Sequence, residues 1–307
     1  MHMQESASAT AIVDAIATVF RGGRRAAELT VVGWLARGHL LIEDVPGVGK
    51  TTLGRALAAA TGGAFKRVQC VPDLMPADIT GTSVWDEHER RFVFHPGPVF
   101  CDVLLADELN RTPPRTQSAL LEALAEGQVT VDGEARLLTA RFCCIATQNP
   151  TDHAGTYPLP DSQRDRFLLR FPLGYPDPAS ELELLRRDGA AADLSRLSAV
   201  VDAAGAERLR AAAAAVTVTD EVRTYALALV RATRASKALV LGASPRAALG
   251  LQRLAQARAL LAGRHFATPD DIQGVAVEAL AHRVVPRGAG DPDQAVRDAV
   301  ASVAVPR

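Results

Sequence analysis

The first twenty residues carry apolar side chains at helical spacing. These are Ile12, Ile16, Val19 and Phe20. Apolar residues that recur every three to four positions form one face of an α-helix. Because consecutive glycines commonly follow helix ends, we expect this amphipathic helix to end near Gly22 and Gly23.

Five later apolar runs have the length of buried strands. They lie at residues 39–42, 66–70, 103–106, 142–147 and 167–171. Helical segments separate several of these runs, and parallel strands need such long crossover connections. The chain is therefore predicted to have an α/β fold with a five-stranded parallel sheet covered on both faces.

Two antiparallel hairpins are predicted to interrupt this alternation. In the first, residues 92–94 and 99–100 flank a turn at 95–98 that contains two prolines and a glycine. In the second, two short strands flank Asp132-Gly133, a pair suited to the positive φ angles of a tight hairpin turn.

The composition changes after a Pro-rich stretch that follows the last apolar run. Beyond it Ala, Leu and Arg dominate at helical periods, and strand-like runs are no longer found. Ser244 and Pro245 are typical of an N-cap and a first helical residue. The prediction is two domains, residues 1–178 with the sheet and residues 179–307 made of helices.

The overall composition narrows the possible functions. Of the 307 residues, 48% are hydrophobic and 22% are charged, which is ordinary for a folded globular protein. The formal net charge of −1 provides no broad basic field that would attract nucleic acid or an anionic membrane. We therefore do not expect nucleic acid to be a partner.

The N-terminal residues and the cysteines indicate the cellular compartment of the protein. The first residues lack the basic start and the apolar run of a signal peptide, and charged residues interrupt every later apolar run before membrane-spanning length. The four cysteines show no C-x-x-C spacing, which favours buried reduced thiols over metal ligation. We expect a cytoplasmic protein without a membrane span.

The turn after the first strand has the composition of a phosphate-binding loop. Gly47 and Gly49 allow backbone N–H groups to curl around phosphates, and the start of the following helix favours negative charge. Lys50 can reach the β- and γ-phosphates, and the Thr51 hydroxyl can bind Mg²⁺. The strict G-x-x-x-x-G-K-[ST] pattern has glycine where this chain has Asp44, so a generic strand-to-helix turn stays open as an alternative.

Two carboxylates end the third apolar run, because Asp107 and Glu108 follow residues 103–106 directly. In P-loop nucleotide hydrolases, a carboxylate at such a strand end holds Mg²⁺, and a second one can orient or deprotonate the attacking water. Asp107 is therefore the metal-side candidate and Glu108 the candidate base. Helix capping is the alternative interpretation of such a pair.

Three further polar residues are candidates for positioning water or phosphate oxygens. Asn149 follows the run at 142–147, and its amide can hold a lytic water without adding charge. Arg166 precedes the last run and Arg246 lies in the first turn of a predicted helix, so each can place a guanidinium on transition-state oxygens. An Asn-Pro turn and solvated surface arginines are the alternatives.

Several sequence blocks, taken together, resemble the MoxR family of AAA+ ATPases and occur in the order of that family. The blocks are residues 44–51, 104–111, 116–122, 146–150 and 155–160, with residues 242–247 and 268–271 similar to the family's lid. An acidic residue at the place of Asp44 is also found in similar MoxR sequences.

The resemblance implies a AAA+ P-loop αβα sandwich followed by a small helical lid, residues 179–307. It also implies a homo-oligomeric ring, usually hexameric, with ATP and Mg²⁺ bound at subunit interfaces. The expected nucleotide contacts are Val45, Pro46, Gly47, Val48, Gly49, Lys50, Thr51, Thr52 and Asp107, of which Thr51 and Asp107 are the magnesium ligands. The expected catalytic residues are the Walker B base Glu108, sensor 1 Asn149, sensor 2 Arg246 and the arginine finger Arg166, with Arg164 as the alternative finger.

The same resemblance implies a chaperone-like machine that hydrolyses ATP to remodel or mature client proteins. A protein with a von Willebrand factor A domain is the expected partner. Two alternatives stay open: a nucleotide-gated scaffold with slow hydrolysis, and a magnesium-chelatase-like ATPase subunit. The near-neutral charge counts against a DNA-directed motor.

Overall fold

A computed structural model describes residues 2–149, 155–186, 194 and 197–306. Within these ranges the strands are β1 (Leu40–Glu43), β2 (Phe65–Gln69), β3 (Gly81–Asp86), β4 (Arg91–Pro96), β5 (Val103–Asp107), β6 (Gln128–Val131), β7 (Glu134–Leu137), β8 (Cys143–Gln148), β9 (Leu169–Phe171), β10 (Leu239–Leu241) and β11 (Val285–Pro286). The α-helices are α1 (His2–Val19), α2 (Arg24–Leu35), α3 (Lys50–Ala60), α4 (Pro76–Thr80), α5 (Pro114–Glu126), α6 (Asp161–Arg164), α7 (Pro178–Arg186), α8 (Ala203–Ala214), α9 (Asp220–Ala235), α10 (Pro245–Leu261), α11 (Pro269–Gln273), α12 (Ala276–Leu280) and α13 (Pro292–Ser302).

The central sheet has five parallel strands in the order β2-β5-β8-β1-β9. Consecutive residues of a strand face opposite sides, so Leu40 and Ile42 join one hydrophobic core and Leu41 joins the other. A strand covered on both faces is apolar at every position, which explains the continuous apolar runs in the sequence. The predicted α/β fold class is confirmed.

Parallel pairing brings the carboxyl ends of β5, β8 and β1 to one edge of the sheet, which we call the carboxyl edge. The chain turns there into α3 after β1 and into a short 3₁₀ turn after β5. The strands begin at the other edge, which we call the amino edge. Side chains that follow these three strands are therefore neighbours, although they are distant in the sequence.

The second predicted hairpin is confirmed, and the first is wrong. Strands β6 and β7 pair around Asp132 and Gly133, whose φ angles are +54° and +79°. In the first hairpin, β3 pairs with β4, and the turn lies at residues 87–90 instead of 95–98. This turn contains no glycine or proline. The carboxylate of Asp86 closes the turn, because it accepts the N–H groups of His88 and Glu89 at 2.9 and 3.0 Å.

The C-terminal part of the chain is helical, as predicted, with one short antiparallel pair between β10 and β11. Ser244 is the N-cap residue of α10, and Gly263 follows that helix with a φ of +76°. The first helix, α1, packs against α3 as well as against α8 and α10 of the C-terminal part. The division of the chain after residue 178 stays a prediction.

All four cysteines are buried and free, as expected for reduced thiols. Burial raises the pKa of the Cys143 thiol to about 11, and it raises the pKa of Cys70 to about 12. Cys143 and Cys144 face opposite cores. None of the helices in the described ranges combines the length and the apolar composition that crossing a membrane requires.

Candidate nucleotide site

The loop between β1 and α3 has the backbone of an anion-binding turn. Gly47 and Gly49 have φ angles of +88° and +94°, a region that side chains with a Cβ rarely adopt. Gly49 is the N-cap of α3, which begins at Lys50. The first N–H groups of a helix have no partner within the helix, so they are available to a phosphate group.

Lys50 lies between this loop and the carboxylates of the carboxyl edge. Its Nζ donates a hydrogen bond to the carbonyl oxygen of Asp44 at 2.5 Å. Burial lowers the pKa of Lys50, and the negative charges of Asp107, Asp44 and Glu108 oppose that shift. The ammonium group is therefore within electrostatic reach of both carboxylates at the end of β5, Asp107 and Glu108.

Asp44 replaces the first glycine of the strict loop pattern and acts as a structural tie. Its Oδ1 accepts the N–H of Val45 at 2.7 Å. Its Oδ2 accepts the N–H groups of Leu173 and Gly174, each at 2.7 Å. One carboxylate thus links the phosphate loop to the segment that leaves β9 towards the lid.

We predict that Asp44→Ala lowers the free energy of unfolding by about 1–3 kcal/mol, because it leaves backbone N–H groups without their acceptor. Chemical denaturation followed by circular dichroism measures this change. Asp73→Ala is the matched control, since Asp73 is exposed and has no hydrogen bond to a residue in the described ranges. Equal stability of the two variants would contradict the role of Asp44 as a tie.

Asp107 ends β5 with both carboxylate oxygens engaged. Oδ1 accepts the hydroxyl of Thr147 at 2.6 Å, and Oδ2 accepts a hydrogen bond from Arg67 at 2.6 Å. The side chain of Asp107 is only 14% exposed. The neighbouring strands thus fix the carboxylate at the carboxyl edge.

Glu108 has a backbone conformation that is uncommon for a residue with a side chain. Its φ and ψ are +60° and +48°, and its N–H donates to the Thr147 hydroxyl at 2.9 Å. Its carboxylate accepts a hydrogen bond from Gln69 at 3.2 Å and pairs with Arg111 at 3.0 Å. Left-handed conformations of this kind cluster at functional sites, where the surrounding contacts maintain them.

Asn149 follows β8 directly and is half-buried. Because β8 lies between β5 and β1, Asn149 leaves the sheet between the strand of Asp107 and the strand that leads to Lys50. The next residue of the sequence block, Pro150, lies outside the described residues. The structure therefore brings Lys50, Asp107, Glu108 and Asn149 to one edge.

The residues predicted to hold Mg²⁺ have suitable oxygen atoms. Thr51 begins α3 beside Lys50, and its hydroxyl makes no hydrogen bond to the described part of the chain. Asp107 offers a fixed carboxylate, although Arg67 already shares it. Mg²⁺ usually takes one or two protein oxygens and completes its shell with phosphates and water. The two side chains fit such a site and provide no complete protein cage.

Arg166 and Arg246 lie elsewhere, at the amino edge of the sheet. They line one cavity of about 290 Å³ together with Arg253 and Arg283. His39 also lines it and lies five residues before Asp44, which is about 16 Å along an extended strand. The two arginines are therefore separated from the phosphate loop of their own chain.

The two candidate arginine fingers have different surroundings. Arg166 donates a hydrogen bond to the carbonyl of Leu121 at 2.6 Å and lines the cavity. Arg164 pairs with Asp161 within the short helix α6. The side chain of Arg246 has no hydrogen bond or ion pair within the described ranges. Of the three predicted arginines, Arg166 and Arg246 line the cavity, and Arg164 is not among its lining residues.

Sequence reasoning missed several residues that shape the site. Arg67 and Gln69 lie within the predicted strand at residues 66–70, but no role was assigned to them. They alternate with the buried Val68 along the edge strand β2. Polar residues at alternate positions of an apolar run are a signal for one exposed face. Thr147, the one hydroxyl residue within β8, joins Asp107 to Glu108 and could have been recognised by its position.

The chain is similar to known protein families and to solved structures. Residues 39–169 match the model of the ATPase family associated with various cellular activities (AAA), and residues 231–303 match an AAA lid domain. A Cytophaga hutchinsonii protein described as a candidate ATPase has a crystal structure that superimposes with a TM-score of 0.91 at 33% identity, covering 100% of this chain and 97% of that one.

Two curated relatives cover most of the chain. An uncharacterized Bacillus subtilis protein, YeaC, is 43% identical over 96% of this chain and 93% of its own length. Chaperone MoxR1 of Mycobacterium tuberculosis is 40% identical over 84% of this chain and 70% of its own length. The sheet, the phosphate loop and these relatives agree: the chain belongs to the MoxR family of AAA+ ATPases.

Proposed function

We propose that this protein binds ATP with Mg²⁺ at the carboxyl edge and hydrolyses it between the subunits of a homo-hexameric ring. The observation that carries the proposal is the meeting of Lys50 with Asp107 and Glu108 at one edge of the sheet. A lysine at the start of a helix, facing two carboxylates, is the arrangement that phosphoryl transfer needs.

The side chains of this edge have distinct tasks in that reaction. Lys50 and the N–H groups at the start of α3 would hold the phosphates, and Asp107 and Thr51 would supply oxygens to Mg²⁺. Bound Mg²⁺ would neutralise charge that develops on the phosphate oxygens. Glu108 accepts a proton from the attacking water, and Asn149 orients that water.

The arginines at the amino edge are proposed to act on the nucleotide of the neighbouring subunit. Arg166 and Arg246 are too far from their own phosphate loop, and Arg246 has no anionic partner in the described ranges. In a ring, the amino edge of one subunit can face the carboxyl edge of the next. The neighbour's guanidinium groups would then stabilise the transition state.

We propose a chaperone-like action in the cytoplasm, in which hydrolysis drives rearrangement of a client protein, with a von Willebrand factor A domain protein as partner. The name of Chaperone MoxR1 supports this direction. A nucleotide-gated scaffold would use the same pocket, and so would a magnesium-chelatase-like subunit. The net charge of −1 gives no support to nucleic acid as the client.

The nucleotide site is tested by Lys50→Ala. We expect ATP affinity to fall at least about 10-fold, because a charge-assisted hydrogen bond to phosphate is lost. Titration with a fluorescent ATP analogue measures the dissociation constant. Lys237→Ala, which changes an exposed lysine between α9 and β10, is the control. Unchanged affinity in Lys50→Ala would refute the proposed pocket.

A further inference from the structure

The segment Asp165–Phe167, which we call the finger segment, is held by residues of the lid. Ser244 donates its hydroxyl to the Asp165 carboxylate, with oxygen distances of 3.2 and 3.3 Å. Arg283 donates through Nη2 to the carbonyl of Phe167 at 2.7 Å, and its Nε lies 3.5 Å from Asp165 Oδ1. These contacts lie on both sides of Arg166.

A second lid residue strengthens the same attachment. His282 is 1% exposed, and its Nε2 lies 2.8 Å from the Phe167 carbonyl oxygen. Burial and the charge of Arg283 hold the pKa of His282 well below its usual value. A carbonyl oxygen only accepts, so at this distance Nε2 carries the ring proton and donates it to Phe167. The Phe167 carbonyl therefore accepts hydrogen bonds from two consecutive lid residues.

Arg283 is a charged residue that is almost fully buried. Its side chain is 3% exposed, and Nη1 is buried without a hydrogen-bond partner in the described ranges. Gly250 of α10 leaves room for this group, since a Cβ built there would lie 3.2 Å from Nη1. Burying a guanidinium is costly unless its contacts compensate, and the compensating contacts here are with the finger segment.

We infer that Arg283 is a positioning residue for Arg166, through which the lid of one subunit sets the arginine that acts on its neighbour's nucleotide. The inference rests on the proposed function. Arg283 fixes the residues before and after Arg166, and Arg166 is itself held by the Leu121 carbonyl. A movement of the lid would therefore move the finger segment and change hydrolysis in the next subunit.

The test is the steady-state ATPase activity of Arg283→Gln in the full chain. We expect kcat to fall by about 10²-fold, as for a small misplacement of a catalytic group, while the dissociation constant for ATP stays unchanged. Arg283→Lys should recover part of kcat because it keeps the charge. Mixing Arg283→Gln with Lys50→Ala should restore activity at interfaces that combine an intact phosphate loop with an intact finger segment.

Arg258→Gln controls for general weakening of the lid, because Arg258 bonds Gly274 within the lid and does not contact the finger segment. Equal losses in the two variants, or no recovery on mixing, would overturn the inference. If Arg283→Gln does not fold, Ser244→Ala is the second test. This substitution removes a contact between the lid and Asp165, and α10 loses no side-chain cap. An unchanged kcat in Ser244→Ala would also overturn the inference. An inactive wild type, or an unaffected Arg166→Ala, would instead show that the proposed function fails.

Discussion

Glu108→Gln is expected to abolish most ATP turnover while ATP binding persists. A general base contributes about 10²- to 10⁴-fold to a rate, and glutamine keeps the size of the side chain but cannot accept the proton. The proposed phosphate contacts of Lys50 and of the start of α3 do not involve this carboxylate. Phosphate release measures kcat, and titration with a fluorescent ATP analogue measures binding.

Glu87→Gln is the matched control for this prediction, since Glu87 is exposed in the turn between β3 and β4. Wild-type turnover in Glu108→Gln would remove Glu108 from the mechanism. The same variant separates a remodelling machine from a nucleotide-gated scaffold. A remodelling machine should lose client activity, whereas a scaffold that needs only ATP binding should retain its partner function.

Arg166→Ala is expected to lower kcat by about 10³- to 10⁵-fold, the contribution of an arginine finger. Arg164→Ala should have a much smaller effect, because Arg164 pairs with Asp161 in its own helix. Mixing Arg166→Ala with Lys50→Ala should restore part of the activity, since some interfaces then combine an intact loop with an intact arginine. The measurement is phosphate release from the separate and mixed proteins.

Two results would contradict the expectations for Arg166 and Arg164. A mixture as inactive as its components would place Arg166 in the same subunit as the nucleotide it serves. A larger loss in Arg164→Ala than in Arg166→Ala would exchange the two assignments. The inactive mixture would contradict the separation of Arg166 from the phosphate loop across the sheet.

The sequence predicted the carboxyl edge well because its signals are local. The glycines, Lys50 and the apolar run before them predicted a strand, a phosphate-binding loop and a following helix, and α3 begins at Lys50. Asp107 ends β5 and Asn149 directly follows β8, so parallel pairing alone brings them together. The second hairpin was predictable for the same reason, since Asp132-Gly133 specifies its own turn.

The rest depends on contacts between distant segments. Asp44 could be recognised as a departure from the loop pattern, but its bonds to Leu173 and Gly174 depend on the β1–β9 pairing. Arg166 and Arg283 meet only because the lid packs at the amino edge. The turn between β3 and β4 was missed because a carboxylate takes the place of glycine or proline there.

The most direct test of the central claim is an experimental structure of the assembled protein with Mg²⁺ and a non-hydrolysable ATP analogue. We predict the terminal phosphate within hydrogen-bond distance of Lys50 in one subunit and of Arg166 in the next, with Mg²⁺ beside Thr51 and Asp107. An analogue bound away from the loop at residues 47–51, or a site formed by one subunit alone, would contradict the account.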